Sequence, residues 1–173
     1  DNVVRVSESE FFYDLSLKEV NALGSMACAL NSGVIVADGS GKIWLIKSKE
    51  GGVETLVYED KLYPTLEGIS CRDDSVFLAS GTFIDKLSVE DSSFLLDENI
   101  LGESKDFMGF TGFENYLSNL YFLKPKSNEI LKYVSLDSGF EDSVSYLKEG
   151  EDVLSSLSLA VNGYVYTTGG GEV

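Results

Sequence analysis

Histidine is absent from this sequence of 173 residues, and its absence removes several kinds of chemistry. A Ser-His-Asp or Cys-His nucleophile cannot be assembled within the chain, because both need an imidazole as general base. The two cysteines, Cys28 and Cys71, cannot by themselves build an ordinary zinc site. The sequence also lacks EF-hand spacing and a glycine-rich loop that opens a helix, so we expect no cofactor.

Basic residues are scarce, since 13 lysines and arginines stand against 29 acidic residues and give a net charge of −16. The negative electrostatic field of such a protein repels phosphate backbones and anionic lipid, which argues against nucleic acids and membrane surfaces as partners. No apolar run approaches the roughly 20 residues that span a bilayer, so direct membrane insertion is not expected. An apolar content of 43% is typical of a globular protein.

What the sequence has instead is a repeat. Its clearest copy, at residues 31–47, reads as a tight turn, an apolar strand, a glycine-containing turn and a second apolar strand. The first strand residue after the turn is Val34, and its counterparts Val76, Leu120 and Tyr164 follow at spacings of 42, 44 and 44 residues. A period of this size, made of short strands and polar turns, is typical of β-propeller blades.

Each copy predicts a four-stranded antiparallel unit. First strands are predicted at residues 26–30, 69–72, 113–117 and 157–161, and third strands near Ile43, Ile84, Ile130 and Val173. The middle strands are unbroken apolar runs, which indicates burial on both faces, as between neighbouring blades. Asn162-Gly163 predicts a two-residue type I′ turn, because both residue types tolerate positive φ. We therefore predict an all-β, propeller-like fold of about three and a half blades in an incomplete ring.

The repeat also predicts the domain organisation. An N-terminal segment at residues 1–22 lies outside the repeat, and the blades occupy residues 23–60, 66–98, 107–150 and, in part, 153–173. Within the N-terminal segment we expect a strand at residues 3–6 and an apolar plug at residues 11–17 that covers the propeller's edge. Because three and a half blades do not close a ring, we expect self-association or a missing segment that completes the propeller. The lack of an initiator methionine favours a piece of a longer protein.

Cys28 and Cys71 fall on the first strands of consecutive predicted blades. Packed sheets lie about 10 Å apart, whereas a disulfide needs Cα atoms within roughly 7 Å of each other. The predicted blade spacing therefore indicates two buried free thiols. The single tryptophan, Trp44, lies in the middle of a predicted strand, which favours a place in the core over a ligand-stacking role.

The segment VIVADGSGKI at residues 34–43 resembles the strand–turn–strand repeat of NHL-type and gluconolactonase-like propellers. The segment LYFLKPKSNEILKY at residues 120–133 resembles uncharacterised bacterial propeller domains linked to membrane-anchored, phosphatase-like proteins, as does FFYDLSL at residues 11–17. The turn aspartate of the first segment, Asp38, is replaced by Ser80, Lys124 and Thr168 in the later copies. The resemblance rests on structural residues, so it implies a fold more than a function.

Candidate ligand residues come from the loops at one end of the blades. In a propeller, the loops between second and third strands share a face with the connections between blades, and this face usually carries ligands. In this chain, that face would include Asp38, Lys61, Tyr63, Lys124 and Lys126. Among these, Tyr63 lies beside a proline in an inter-blade loop, where an aromatic ring could stack on a sugar or peptide.

These observations favour a non-catalytic binding or interaction module of a larger bacterial protein, outside the cytoplasm or at the cell surface. The ligand would be a protein, a small molecule or a glycan. The alternative is a metal-dependent lactone hydrolase of the gluconolactonase type, which needs carboxylates and an amide converging on the central channel. Activity that appears only with a divalent metal favours the hydrolase, whereas saturable binding without turnover favours the module.

Overall fold

The computed structural model describes residues 13–50, 52–91, 93–104 and 106–169. The strands, in chain order, are β1 (Gly24–Leu30), β2 (Gly33–Asp38), β3 (Ile43–Lys49), β4 (Gly52–Tyr58), β5 (Gly68–Arg72), β6 (Ser75–Ala79), β7 (Ile84–Glu90), β8 (Ser93–Asp97), β9 (Gly112–Tyr116), β10 (Asn119–Lys124), β11 (Glu129–Tyr133), β12 (Ser135–Leu136), β13 (Gly139–Phe140), β14 (Val144–Ser145), β15 (Ser156–Val161) and β16 (Val165–Gly169). Two 3₁₀ turns, at Leu15–Leu17 and Pro125–Ser127, accompany them. The strands predicted at residues 3–6 and near Val173 lie outside the described residues.

Antiparallel pairing groups the strands into three four-stranded sheets and two smaller ones. Blade 1 has the order β1-β2-β3-β4, blade 2 has β5-β6-β7-β8, and blade 3 has β9-β10-β11-β14. Strands β15 and β16 form a two-stranded unit that we call partial blade 4. The short hairpin of β12 and β13 is inserted between the third and fourth strands of blade 3.

Successive blades contact one another through their first strands. Strand β1 packs beside β5, β5 packs beside β9, and β9 packs beside β15. Sheets whose innermost strands pack side by side in chain order have the arrangement of a propeller. The prediction of an all-β, propeller-like fold is confirmed, with three full blades and two strands of a fourth among the described residues.

The second strands form the core between blades. In β6 the four residues Val76–Ala79 are all buried, and in β10 so are the four residues Leu120–Leu123. Because side chains alternate between the faces of a strand, four consecutive buried residues require cover on both faces. The unbroken apolar runs of the sequence therefore predicted this environment correctly, and each buried leucine contributes about 1.5–3 kcal/mol.

The N-terminal segment covers the outer face of blade 1. Leu15 and Ala22 pack against Trp44 and Ile46, and Tyr13 joins the same apolar cluster. Trp44 is buried, so its predicted place in the core is confirmed. Of the plug predicted at residues 11–17, residues 11 and 12 lie outside the described part, Tyr13 and Leu15 lie against the face of blade 1, and Leu17 is exposed.

The cysteine prediction is wrong, because Cys28 and Cys71 form a disulfide with their Cα atoms 5.5 Å apart. The two residues do lie on the first strands of consecutive blades, β1 and β5. The error was to apply the spacing of parallel packed sheets to strands near the axis, where the blades converge. Inner strands of neighbouring blades come close enough for a disulfide even though the outer parts of the blades do not.

The turn prediction at Asn162-Gly163 is also wrong. Val161 pairs with Val165, so the loop has three residues, and only Gly163 has positive φ, at 97°. The two-residue turn with both central residues at positive φ occurs instead at Leu117 and Ser118, with φ of 49° and 64°.

Candidate functional site

The loops between second and third strands and the connections between blades meet at one end of the array, which we call the loop face. Contacts between these loops are tight. The amide of Tyr63 donates to the carbonyl of Gly41 at 2.8 Å. Gly41 has φ of 91°, and a Cβ there would lie 2.5 Å from the nitrogen of Tyr63. The β2–β3 loop and the connection between blades 1 and 2 are therefore packed backbone against backbone.

Asp38 ends β2 and organises its own loop. Its carboxylate accepts hydrogen bonds from the amide of Ser40 at 2.8 Å, the amide of Lys42 at 3.1 Å and the indole N–H of Trp44 at 2.7 Å. Burial alone would raise the pKa of Asp38, but these hydrogen bonds and one from the Ser40 hydroxyl lower it overall. The buried carboxylate therefore has a structural role. Its contact with a ligand stays a prediction, and these internal hydrogen bonds do not favour it.

Tyr63 and Lys61 belong to a network centred on Asp85, which is fully buried at the start of β7. The Tyr63 hydroxyl donates to the Asp85 carboxylate at 2.9 Å, and the Lys61 ammonium lies 2.6 Å from the same oxygen. The other Asp85 oxygen accepts from the amide of Asn99 at 2.8 Å. Lys61 also pairs with Glu98 at 2.8 Å. Two separate stretches of chain, one with Lys61 and Tyr63 and one with Asn99, are thus held to a single carboxylate on β7.

This network changes the acid–base properties of its members. Burial and the adjacent Asp85 carboxylate raise the pKa of Tyr63, so the phenol stays protonated. Burial by itself lowers the pKa of Lys61, but its hydrogen bonds to Asp85 and Glu98 outweigh burial and raise it. With 3% of its surface exposed, Tyr63 packs among core aromatic rings and offers no free face for stacking on a sugar or peptide.

Lys124 and Lys126 lie on blade 3, away from this network. The Lys124 ammonium donates to the backbone carbonyl of Asp106 and lies 3.9 Å from the Glu129 carboxylate. Lys126 is exposed in the Pro125–Ser127 turn. The five predicted ligand residues therefore fall into two groups, with Asp38, Lys61 and Tyr63 at blades 1 and 2 and the two lysines at blade 3.

Several lysines of the loop face are used to join loops. Besides Lys61 and Lys124, Lys42 pairs with Glu19 at 2.7 Å and with Glu59 at 3.1 Å. Basic residues of this face were predicted to contact a ligand, but these three ammonium groups already have carboxylate or carbonyl partners. Asp85 was not predicted, because β7 reads IDKLSVE, with a lysine and a second acidic residue, and this pattern does not mark Asp85 as the buried one.

A cavity of about 530 Å³ lies between blade 3 and partial blade 4, and we call it the blade 3–4 groove. Its lining consists of Ile130, Tyr146, Leu147, Lys148, Glu151, Asp152, Val153, Gly163, Tyr164, Val165 and Thr167. Ile130 and Val153 are buried beneath it, whereas Tyr164 and Tyr146 are 74% and 40% exposed at its rim. The groove extends from the blade 3–4 connection along β16 to the turn at Gly163, and apolar and polar groups contribute to its lining in similar measure.

A second cavity, of about 580 Å³, lies between blade 2 and the β12–β13 hairpin. Its lining is mainly polar and includes Lys86, Asp97, Glu98 and Asp137. Apolar and aromatic lining with a few polar groups is the usual character of a ligand site. The blade 3–4 groove fits this description better and is the stronger candidate site.

No protein family and no curated protein sequence matches this chain. Among solved structures, it is similar to a chain of an S. cerevisiae complex of Dbp5 bound to Nup159, Gle1, IP6 and ADP, with 12% identity and a TM-score of 0.44. It is also similar to the N-terminal domain of Nup159, with 14% identity and a TM-score of 0.41. Both matches cover 79% of this chain and 35% of the other, so the chain spans about a third of their length. The fold assignment rests on the strand order and packing described above.

Proposed function

We propose that this chain is a non-catalytic binding module of a larger, surface-exposed bacterial protein. The observation that carries the proposal is the blade 3–4 groove, which combines an apolar floor with exposed tyrosines at its rim. Tyrosine supplies a large contact area and a hydroxyl at low entropic cost, which is why it is enriched at binding surfaces. A ligand in the groove would contact both Tyr146 and Tyr164.

The disulfide supports a location outside the cytoplasm. Disulfides such as Cys28–Cys71 persist in oxidising compartments and are rare where thiol-reducing systems operate. Among the described residues no helix is long and apolar enough to cross a membrane. The disulfide fits the extracytoplasmic or cell-surface location expected from the sequence, and detection of free thiols in protein isolated without reductant from its source would contradict it.

No observation favours the alternative lactone hydrolase. The described part of the chain contains no group of three or more histidine, cysteine, aspartate or glutamate side chains placed to hold a metal ion. The carboxylates around Lys61 and Lys42 are engaged in ion pairs that join loops. The binding module is therefore the function that the geometry supports best.

The test is to pan the chain against a displayed peptide library and a glycan array. Tyr146→Ala and Tyr164→Ala should weaken capture of the selected ligands about tenfold or more, the range of a binding hot spot. Tyr166→Ala is the matched control, because Tyr166 lies two residues after Tyr164, on β16, is 52% exposed and does not line the groove. Failure to select any ligand, or equal loss in all three variants, would contradict the proposal.

A further inference from the structure

The second cavity, between blade 2 and the β12–β13 hairpin, is built by two complete blades, and we call it the hairpin cavity. Phe77, Lys86 and Asp97 form its wall on blade 2. Phe77 lies opposite Lys86 in the pairing of β6 with β7, and Lys86 lies opposite Asp97 in the pairing of β7 with β8. Residues directly opposite each other in an antiparallel sheet project from the same face. These side chains therefore form one row on the face of blade 2 that is turned toward blade 3.

The β12–β13 hairpin forms the facing wall and is not needed to complete blade 3. Ten residues, 134–143, separate β11 from β14, whereas two residues separate the third strand from the fourth in blades 1 and 2. The amide of Ser135 donates to the side-chain carbonyl of Asn119 at 2.9 Å and fixes the hairpin to blade 3. Leu136, Asp137 and Phe140 of the hairpin line the cavity. Loops held by a rigid scaffold often carry binding residues, so this insertion favours a role in binding.

Within the described residues, three charged side chains of the hairpin cavity take part in no hydrogen bond or ion pair. They are Lys86, Asp97 and Asp137. The other charged residue of the lining, Glu98, already pairs with Lys61 at 2.8 Å. A simple anion in the cavity would meet two free carboxylates, and a simple cation would meet the lysine. A ligand that carries one negative and one positive group complements both.

The same cavity has an apolar side. Phe77 is 6% exposed and belongs to the aromatic cluster that joins blades 2 and 3. Phe140 and Ile100 pack against that cluster and also line the cavity. The volume of about 580 Å³ lies within the range of small-molecule sites, roughly 300–1,000 Å³. The lining thus presents an ammonium group, carboxylates and an apolar surface to one small ligand.

We propose that the hairpin cavity binds a free α-amino acid with a large apolar side chain. Lys86 pairs with the α-carboxylate of the ligand, and Asp97 and Asp137 accept hydrogen bonds from its α-ammonium group. The ligand's side chain lies against Phe77 and Phe140. This site is separate from the blade 3–4 groove, so its failure leaves the binding role proposed above standing, and the reverse also holds.

Isothermal titration calorimetry of the full chain at pH 7 tests the proposal with L-phenylalanine and two analogues. Phenethylamine lacks the carboxylate, and 3-phenylpropanoate lacks the ammonium group. D-glucose serves as the probe for a saccharide site, since Ser118, Ser135 and Asn99 also line the cavity. We expect phenylalanine to bind with Kd below about 1 mM and each analogue to bind at least about tenfold more weakly, because each loses charge-assisted hydrogen bonds.

Variants then assign each charge of the ligand to its partner. Lys86→Met should make phenylalanine and phenethylamine bind equally, because the carboxylate has lost its partner. Combined Asp97→Asn and Asp137→Asn should remove the advantage of phenylalanine over 3-phenylpropanoate. Lys132→Met, on the third strand of blade 3, and Asp91→Asn, in the turn after β7, are the matched controls. Neither control residue lines the cavity, so both variants should keep the preference for phenylalanine.

Several results would overturn the proposal. Phenethylamine that binds as tightly as phenylalanine would show a site for cations, and 3-phenylpropanoate that does so would show a site for anions. Binding of D-glucose in place of phenylalanine would show a saccharide site. Absence of phenylalanine binding at about 10 mM would show that the cavity takes no such ligand. These comparisons use the unaltered protein, so a poorly folded variant does not affect them.

Discussion

Cys28 on β1 and Cys71 on β5 form a disulfide that joins the innermost strands of blades 1 and 2. The bond closes a loop across a sequence separation of 43 residues, and that loop contains all of blade 1 after its first strand. In the turns that directly follow these two strands, the amide of Asn31 donates to the carbonyl of Asp73 at 2.8 Å. Covalent and hydrogen-bonded links thus fix how the first two blades meet.

Removing this disulfide should destabilise the fold substantially. By the chain-entropy relation, a loop of this length corresponds to about 4 kcal/mol, so combined Cys28→Ser and Cys71→Ser should lower the free energy of unfolding by roughly 3–4 kcal/mol. Urea unfolding of the oxidised protein and the double variant measures the difference. Thiol titration of the unfolded, unreduced protein should detect no thiol, and two free thiols there would contradict the bond.

Asp85 should be among the most sensitive polar positions. Asp85→Ala leaves the Tyr63 hydroxyl and the Lys61 ammonium without their shared partner, so we expect a loss of about 2–4 kcal/mol. Lys61→Met should cost less than Asp85→Ala, because the Tyr63 hydroxyl and the Asn99 amide still donate to the buried Asp85 carboxylate. Denaturant melts provide the comparison, with the exposed Asp97→Ala as control. Similar small losses in all three variants would show that Asp85 does not hold the loops together.

The sequence predicted the elements that depend on local pattern. The observed third strands begin at Ile43, at Ile84 and, one residue before the predicted Ile130, at Glu129, since apolar runs between turns mark them directly. The partners of Asp85 could not be predicted in this way, because Tyr63 and Asn99 come from different connections that meet only when the blades pack. The disulfide was missed for a similar reason, since it depends on the convergence of blades toward the axis.

The residue types at Asn162-Gly163 predicted the wrong turn, and those at Leu117-Ser118 did not predict the turn that forms there. Leu117 and Ser118 have no preference for positive φ, yet both adopt it in the β9–β10 turn. Adopting this conformation costs a residue other than glycine or asparagine about 1–2 kcal/mol. The fit between the type I′ turn and the twist of the two strands compensates for that cost.

Combined Leu117→Asn and Ser118→Gly should therefore stabilise the protein by about 1–2 kcal/mol, because both new residues tolerate positive φ. Leu117→Ala is the control, since it shortens an exposed side chain without relieving the backbone. Thermal and urea melts of the three proteins measure the effect. A neutral or destabilising result for the double variant would contradict the turn assignment.

Glu114 should make stability depend on pH. Burial raises the pKa of this carboxyl above 4.5, and hydrogen bonds from the Ser70 hydroxyl and the Asn115 amide offset burial only in part. Since the folded-state pKa lies above the unfolded value, the folded state binds more protons in the interval between them. Stability from this group is therefore full below the unfolded pKa and falls as pH rises through the folded pKa.

Glu114→Gln should flatten this fall and make the protein more stable than wild type at neutral pH. Urea midpoints measured from pH 4 to pH 8 test the direction. Glu141→Gln, at an exposed position in blade 3, is the control and should follow the wild-type curve. A wild-type profile that rises with pH and that Glu114→Gln leaves unaltered would place the titrating group elsewhere.

Self-association is the last prediction, and it rests on the two end faces of the array. On partial blade 4, Leu157 is 68% exposed and Tyr166 is exposed on the face of β16 that does not line the groove. At the other end, Leu17, Val20 and Leu23 of the N-terminal segment project outward, although Leu15 and Ala22 of the same segment are buried. Exposed apolar surface at both ends favours contact between copies of the chain.

Light scattering over a concentration series should therefore show a mass that rises with concentration. Leu157→Glu should weaken the association at least about tenfold, because burying one leucine contributes roughly 1.5–3 kcal/mol. Leu95→Glu is the matched control, since Leu95 is exposed on β8 of blade 2, away from both ends. If the two variants behave alike, the contact does not use the end face of partial blade 4. A monomer at every concentration would show that burying these end faces does not offset the entropy lost on association.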